Sequence, residues 1–144
     1  MTTQSEAALL DTNVLVYAAD SSAAHHLACM ALLERGSEGA VELVLTPQIL
    51  AEFIAVVTNP KSPAPLRREE ALAHVEELAG TFAMITPTPR VFDRFAALLQ
   101  DTGASGKRVH DVLHAATMLE SGVTRIYTYD SGFTRIPGVT VLRP

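Results

Sequence analysis

The run Ala7 to Ala18, AALLDTNVLVYA, constrains this chain more than any other stretch, because an apolar segment stops at Asp11-Thr12-Asn13 and resumes with a different character. Ala7 to Leu10 has no polar alternation, which suits a strand buried on both faces of a parallel sheet. Thr12 and Asn13 can both cap exposed N–H groups, so a helix is expected through Val14 to Ala18. In open α/β sheets ligands gather beyond the carboxyl ends of the strands, and Asp11 stands at such an end.

A chain of 144 residues, 48% of them hydrophobic, has the material for one core, so a single domain over 1–144 is expected. The formal charge of -5 disfavours nonspecific coating of a nucleic-acid duplex. It leaves room for an enzyme whose carboxylates hold a catalytic metal. With one cysteine, Cys29, no intrachain disulfide is available and a reducing compartment is the simpler setting. Leu27, Met30 and Leu33 around it make Cys29 a core residue rather than a nucleophile. The opening MTTQSEA lacks a basic region followed by an apolar one, and no apolar run is long enough to span a bilayer. The expectation is a cytoplasmic chain without a membrane partner.

Further along, Ser22 is placed to cap a helix through His25 and His26 to Arg35, with Ala23, Leu27, Met30 and Ala31 inward and Gly36 as its stop. Adjacent histidines diverge on a helix, so His25 and His26 make a poor metal pair. Val41 to Leu45 reads as a second strand, and Thr46-Pro47 as a helix opening. Leu50, Phe53, Ile54 and Val57 form the stripe of that helix, with Glu52 on the adjoining row. A carboxylate among hydrophobes needs a partner, a proton, a metal or a path to water. Asn59 to Pro65, with three prolines, is a loop. Arg67 to Ala79 returns to helix with Leu72, Val75 and Leu78 inward. Thr81 to Ile85 is a third strand, and Thr88-Pro89 opens a helix that turns Phe92, Phe95, Ala96 and Leu99 inward. Lys107-Arg108-Val109-His110-Asp111 leads into a helix buried through Val112, Ala115, Ala116 and Leu119. Arg125 to Thr128 and Val139 to Leu142 complete the strands, and Asp130 repeats the strand-end placement of Asp11.

Two acids thus end parallel strands and two sit on helices that pack on the same sheet, so Asp11, Glu52, Asp111 and Asp130 are expected to converge. Clustered carboxylates stay ionised only when a cation balances them, and all-oxygen ligands favour Mg²⁺ or Mn²⁺. Such a site suits phosphoryl hydrolysis.

In order, DTNVLVY, AEF, HDVLHAATM and TYDSGF resemble the PIN domain, and within it the VapC-type ribonuclease toxins of prokaryotic toxin-antitoxin pairs. The resemblance covers essentially the whole chain. It implies a parallel sheet in order 3-2-1-4-5 flanked by helices, and an Mg²⁺- or Mn²⁺-dependent endoribonuclease. It implies catalytic and metal-holding roles for Asp11, Glu52, Asp111 and Asp130, with Asn13 and Thr128 supporting them. A homodimer and a cognate antitoxin are implied as well. Lys107 and Arg108, which immediately precede Asp111, and Arg135 are the expected grips on RNA phosphates. One departure is Gly132, where members of this kind often carry a second acid, and it bears on the number of metals. Two other readings stand beside this one: a haloacid dehalogenase-like phosphatase, whose DxD is here Asp11-Thr12-Asn13, and a PIN-like module that binds RNA or protein without cutting.

Overall fold

In the computed structural model, residues 6–144 are described, so the first five residues of the MTTQSEA stretch read above lie outside the described residues. The strands are β1 (Ala8–Leu10), β2 (Leu43–Leu45), β3 (Ala83–Met84), β4 (Arg125–Tyr127) and β5 (Thr140–Leu142). The helices are α1 (Thr12–Ala19), α2 (His26–Ser37), α3 (Pro47–Val57), α4 (Arg68–Thr81), α5 (Arg90–Thr102) and α6 (Arg108–Glu120), with a 3-10 turn at Ser131–Arg135. All five strands are parallel, in the order β3-β2-β1-β4-β5. The expected α/β sheet of order 3-2-1-4-5 is therefore present.

Unbroken apolar sequence goes where a parallel sheet requires it: Leu9, Leu10, Leu45 and Ile126 have no solvent exposure. Helices cover the sheet through matching stripes. Thr46 accepts the Ile49 N–H at 3.1 Å and Pro47 follows it, so α3 begins as its sequence dictates. At α1 the cap is Asp11 itself, whose Oδ1 accepts the Thr12 N–H at 2.7 Å, rather than Thr12 or Asn13.

Three helices turn differently from their predicted stripes. On α2 the buried residues are Cys29 and Leu32, while Leu27 is 80% exposed. The rotation follows from Gly36, where a Cβ would lie 2.5 Å from Leu43 Cδ1; the helix presses on the sheet there and runs past the glycine instead of stopping. Ser22 is no cap, since its own N–H and hydroxyl bind Asp20 in the preceding loop. On α4, Ala71 is buried and Leu72 exposed. On α5, which packs mainly on α6, the inward positions are Val91 and Leu98; Phe92 is exposed, and Pro89 precedes the helix without a side-chain cap from Thr88. Among the described residues no helix is long and apolar enough to cross a membrane.

Candidate active site

Because β1 and β4 are neighbours, their carboxyl ends bring Asp11 and Thr128 side by side. Asp11 is 7% exposed and Thr128 fully buried. Thr128 Oγ1 donates to Asp11 Oδ2 at 2.7 Å, and Asn13 Nδ2 reaches Asp11 Oδ2 at 3.3 Å and Thr128 Oγ1 at 3.2 Å. The Tyr129 N–H closes this network on Asn13 Oδ1, and the Asp130 N–H closes it on Thr128 Oγ1. Burial pushes the Asp11 carboxyl above its ordinary value, more than the Thr128 and Thr12 hydrogen bonds lower it. A carboxylate that is both desolvated and fixed in orientation by its donors is prepared for a cation.

Glu52 enters from α3. Thr12 Oγ1 donates to its Oε2 at 2.8 Å, and Gln48 Nε2 to its Oε1 at 3.3 Å. His114 Nε2 lies 3.1 and 3.0 Å from the two oxygens and is 2% exposed. Burial acts to raise Glu52, but the hydrogen bonds and charge of His114, with Thr12 and Gln48, outweigh it and hold the carboxyl below its usual value. The sequence reading missed His114. Its signal was an imidazole inside the buried face of α6, three residues after Asp111 and between Leu113 and Ala115. Glu52 therefore has a protein partner for its charge and stands beside the other acids rather than free among them.

Asp111, in the first turn of α6, is pushed up to about 6 by burial and then by the charges of Asp130 and Asp11. Asp130 caps the 3-10 turn by accepting the Gly132 N–H at 2.8 Å. Arg108 Nη1 lies 3.8 Å from Asp111 Oδ2 and 4.0 Å from Asp130 Oδ1. It reaches them across Gly132, where a Cβ would stand 1.5 Å from Nη1. A hollow of about 350 Å³ opens beside them, lined by Ser105, Arg108, Asp111, Gly132 and Arg135. Lys107 is exposed at the start of α6.

Among the described residues no group of three or more His, Cys, Asp or Glu side chains is placed closely enough to hold a metal ion as it stands. The donor chemistry nevertheless fits an open oxygen site: Asp111 feels the charges of both Asp130 and Asp11, and Mg²⁺ commonly uses one or two carboxylates while keeping water for the rest of its shell.

The PIN domain model matches residues 8–139. The chain belongs to the PIN domain family. Among its curated relatives, ribonuclease VapC37 of Mycobacterium tuberculosis is 31% identical, over 91% of this chain and 92% of that protein. Ribonuclease VapC43 of the same organism is 36% identical, over 88% of this chain and 87% of that one. Solved structures share the fold at lower identity. A VapBC2 structure from Rickettsia felis, bound to a fragment of promoter DNA, superposes with a TM-score of 0.72 at 19% identity, covering 95% of this chain and 98% of that one. VapC20 of M. tuberculosis, described as a toxin that cleaves the sarcin-ricin loop, gives 0.70 at 15% identity, covering 94% and 98%.

Proposed function

We propose that this PIN domain is a divalent-metal-dependent endoribonuclease and the toxin member of a toxin-antitoxin pair, acting in the cytoplasm. The observation that carries the reading is the gathering of acids at the carboxyl edge of the sheet, where Asp11 is held by Thr128 and one guanidinium, Arg108, lies within 4.0 Å of both Asp111 and Asp130. Relatives named as ribonucleases over about nine-tenths of both chains support it. A phosphatase of the haloacid dehalogenase class has no support beyond the first aspartate.

Asp11, Asp111 and Asp130 would hold Mg²⁺ or Mn²⁺, with Glu52 as the adjoining fourth acid. When bound, the ion lowers the pKa of an attacking water and screens charge on the phosphate. The chain supplies the rest. Thr128, Asn13 and the Thr12 N–H fix the Asp11 oxygens, and His114 fixes Glu52. Arg108 and Arg135, which line the adjoining hollow, and the exposed Lys107 offer cations to the RNA backbone.

The antitoxin has a suitable seat away from the acids. A groove of about 510 Å³ between α1, α2, α3 and α4 is lined by Leu15, Met30, Leu33, Phe53, Leu78 and Phe82, with Glu34 and Glu77 on it. Apolar walls with acidic neighbours suit an amphipathic basic peptide. Structural neighbours include a toxin-antitoxin complex from Klebsiella pneumoniae. A homodimer is part of the proposal; Phe92, 69% exposed on α5, is one apolar residue available to a second copy.

The test is cleavage of single-stranded RNA by the purified chain with Mg²⁺ or Mn²⁺, leaving 5′-phosphate and 3′-hydroxyl ends. EDTA should abolish it. Cleavage that survives exhaustive chelation, or a covalent phosphoaspartate at Asp11, would overturn the mechanism.

A further inference from the structure

At the end of β4, next to Asp130 in the chain, lies a group of rings that the hydrolytic chemistry does not use. Tyr129 stands between Thr128 and Asp130, one residue from each. Its ring is stacked on His25, with centroids 4.0 Å apart and planes at 15°. Tyr17 meets Tyr129 edge-on at 5.6 Å and His25 at the same distance. The Arg143 guanidinium lies 5.4 Å from the Tyr129 centroid, and its Nη1 donates to the Tyr129 carbonyl at 3.0 Å. The assembly is anchored from below. Cys29 Sγ points at the Tyr129 hydroxyl at 3.8 Å, and His26 Nδ1 sits 2.9 Å from the Tyr17 carbonyl.

A staple between α1, α2 and the end of β4 needs only the half-buried Tyr17 and Tyr129. His25 adds something else, because it is exposed although its ring is stacked on Tyr129, so the stack presents imidazole surface to solvent. Aromatic faces and arginine planes are the surfaces on which proteins stack unpaired RNA bases, and stacking tolerates any base because every base has a π-face. We propose that His25, Tyr129 and Arg143 form a nucleobase subsite, which takes an unpaired base of single-stranded RNA flanking the phosphodiester at the acids. The proposal rests on the RNA-cleavage reading above.

The test uses the full chain carrying Asp11→Asn, so that RNA is bound without being cut, in Mg²⁺ buffer. Fluorescence anisotropy is read for a labelled oligouridine and for an equally long oligomer of abasic tetrahydrofuran phosphates. His25→Ala should weaken oligouridine binding roughly tenfold and leave the abasic oligomer unchanged. His25→Phe should restore binding, which a merely electrostatic histidine would not permit. If His25→Ala melts early, His25→Gln gives the same comparison. Equal losses on both oligomers, or none on either while oligouridine still binds, would reject the subsite and leave the nuclease reading standing. Failure of the unsubstituted chain to bind or cut any RNA would instead remove both.

Discussion

A side chain at residue 132 and the guanidinium of Arg108 compete for one space, since a Cβ there would lie 2.7 Å from Arg108 Cζ as well as 1.5 Å from Nη1. Gly132→Ala should therefore push the flexible end of Arg108 away from Asp111 and Asp130. An internal cation then leaves the acids, so Mn²⁺ affinity, measured by titration with electron paramagnetic resonance, should rise. Arg108→Ala should raise it too while weakening RNA binding and flattening its salt dependence, because one phosphate contact is lost. An affinity that neither substitution changes would mean that Arg108 does not compete with the metal. Asp11 is governed by its donors. Thr128→Val removes the 2.7 Å hydrogen bond to Oδ2 and should cost about 10–100-fold in metal affinity or cleavage, the usual scale for partners that orient a ligand. Loss confined to thermal stability would make Thr128 a packing residue only.

At the scale of the element, α6 carries two unlike duties on neighbouring faces: Asp111 toward the acids and His114 toward Glu52 on α3. The pH response separates them. Asp111, raised from 3.8 to about 6, binds a proton more readily folded than unfolded. Its contribution to stability is thus fully present below 3.8 and lost as pH rises through about 6, and Asp11, also raised, has the same sign. Glu52 is depressed from 4.5 and acts oppositely, contributing above 4.5 and losing that contribution as pH falls through its folded value. In EDTA, the melting temperature should fall between pH 4.5 and 6. Asp111→Asn should flatten that fall, and Mn²⁺ should remove it. A metal-free melting temperature that rises across this window would contradict the repulsion on which the site is argued. The same helix shows what sequence makes legible. Asp11, Glu52, Asp111 and Asp130 stand out as candidates because an acid at a strand end or in an apolar stripe is locally anomalous. Thr46-Pro47 is readable because a cap acts within its own helix. The Glu52–His114 pair spans 62 residues, and Arg108 depends on a bare position 24 residues later, so neither has a local signature. The inward faces of α2, α4 and α5 were misread for a related reason. Each helix carries more apolar residues than its narrow contact buries, and only packing chooses among them.

For the molecule as a whole, the order β3-β2-β1-β4-β5 places β1 centrally, so the loops after β1 and β4 meet at one edge while α1 and α2 run back along the sheet. The acidic site and the apolar groove are thereby built on the same helix, with Asn13 at one end of α1 and Leu15 and Ala18 lining the groove farther along it. A single peptide seated in the groove can continue toward the acids, and an arginine on it would engage carboxylates through two hydrogen bonds without activating water. The affinity should come from the groove, because buried apolar anchors dominate interfaces and rim charges contribute less. Met30 separates the two contributions: it lines the groove and is 46% exposed, so Met30→Glu should leave the fold nearly unchanged. It should weaken the antitoxin complex by about tenfold or more, since a buried anchor of this kind contributes on the order of 2 kcal/mol. RNA cleavage by the free chain should be unaffected, because none of Asp11, Glu52, Asp111 and Asp130 lines the groove. Isothermal titration with the co-encoded partner measures the first effect and an RNA cleavage assay the second. If Met30→Glu binds the partner as tightly as the parent chain, the groove is not the seat; if it instead loses cleavage while keeping the partner, the two surfaces are coupled through α1 rather than independent.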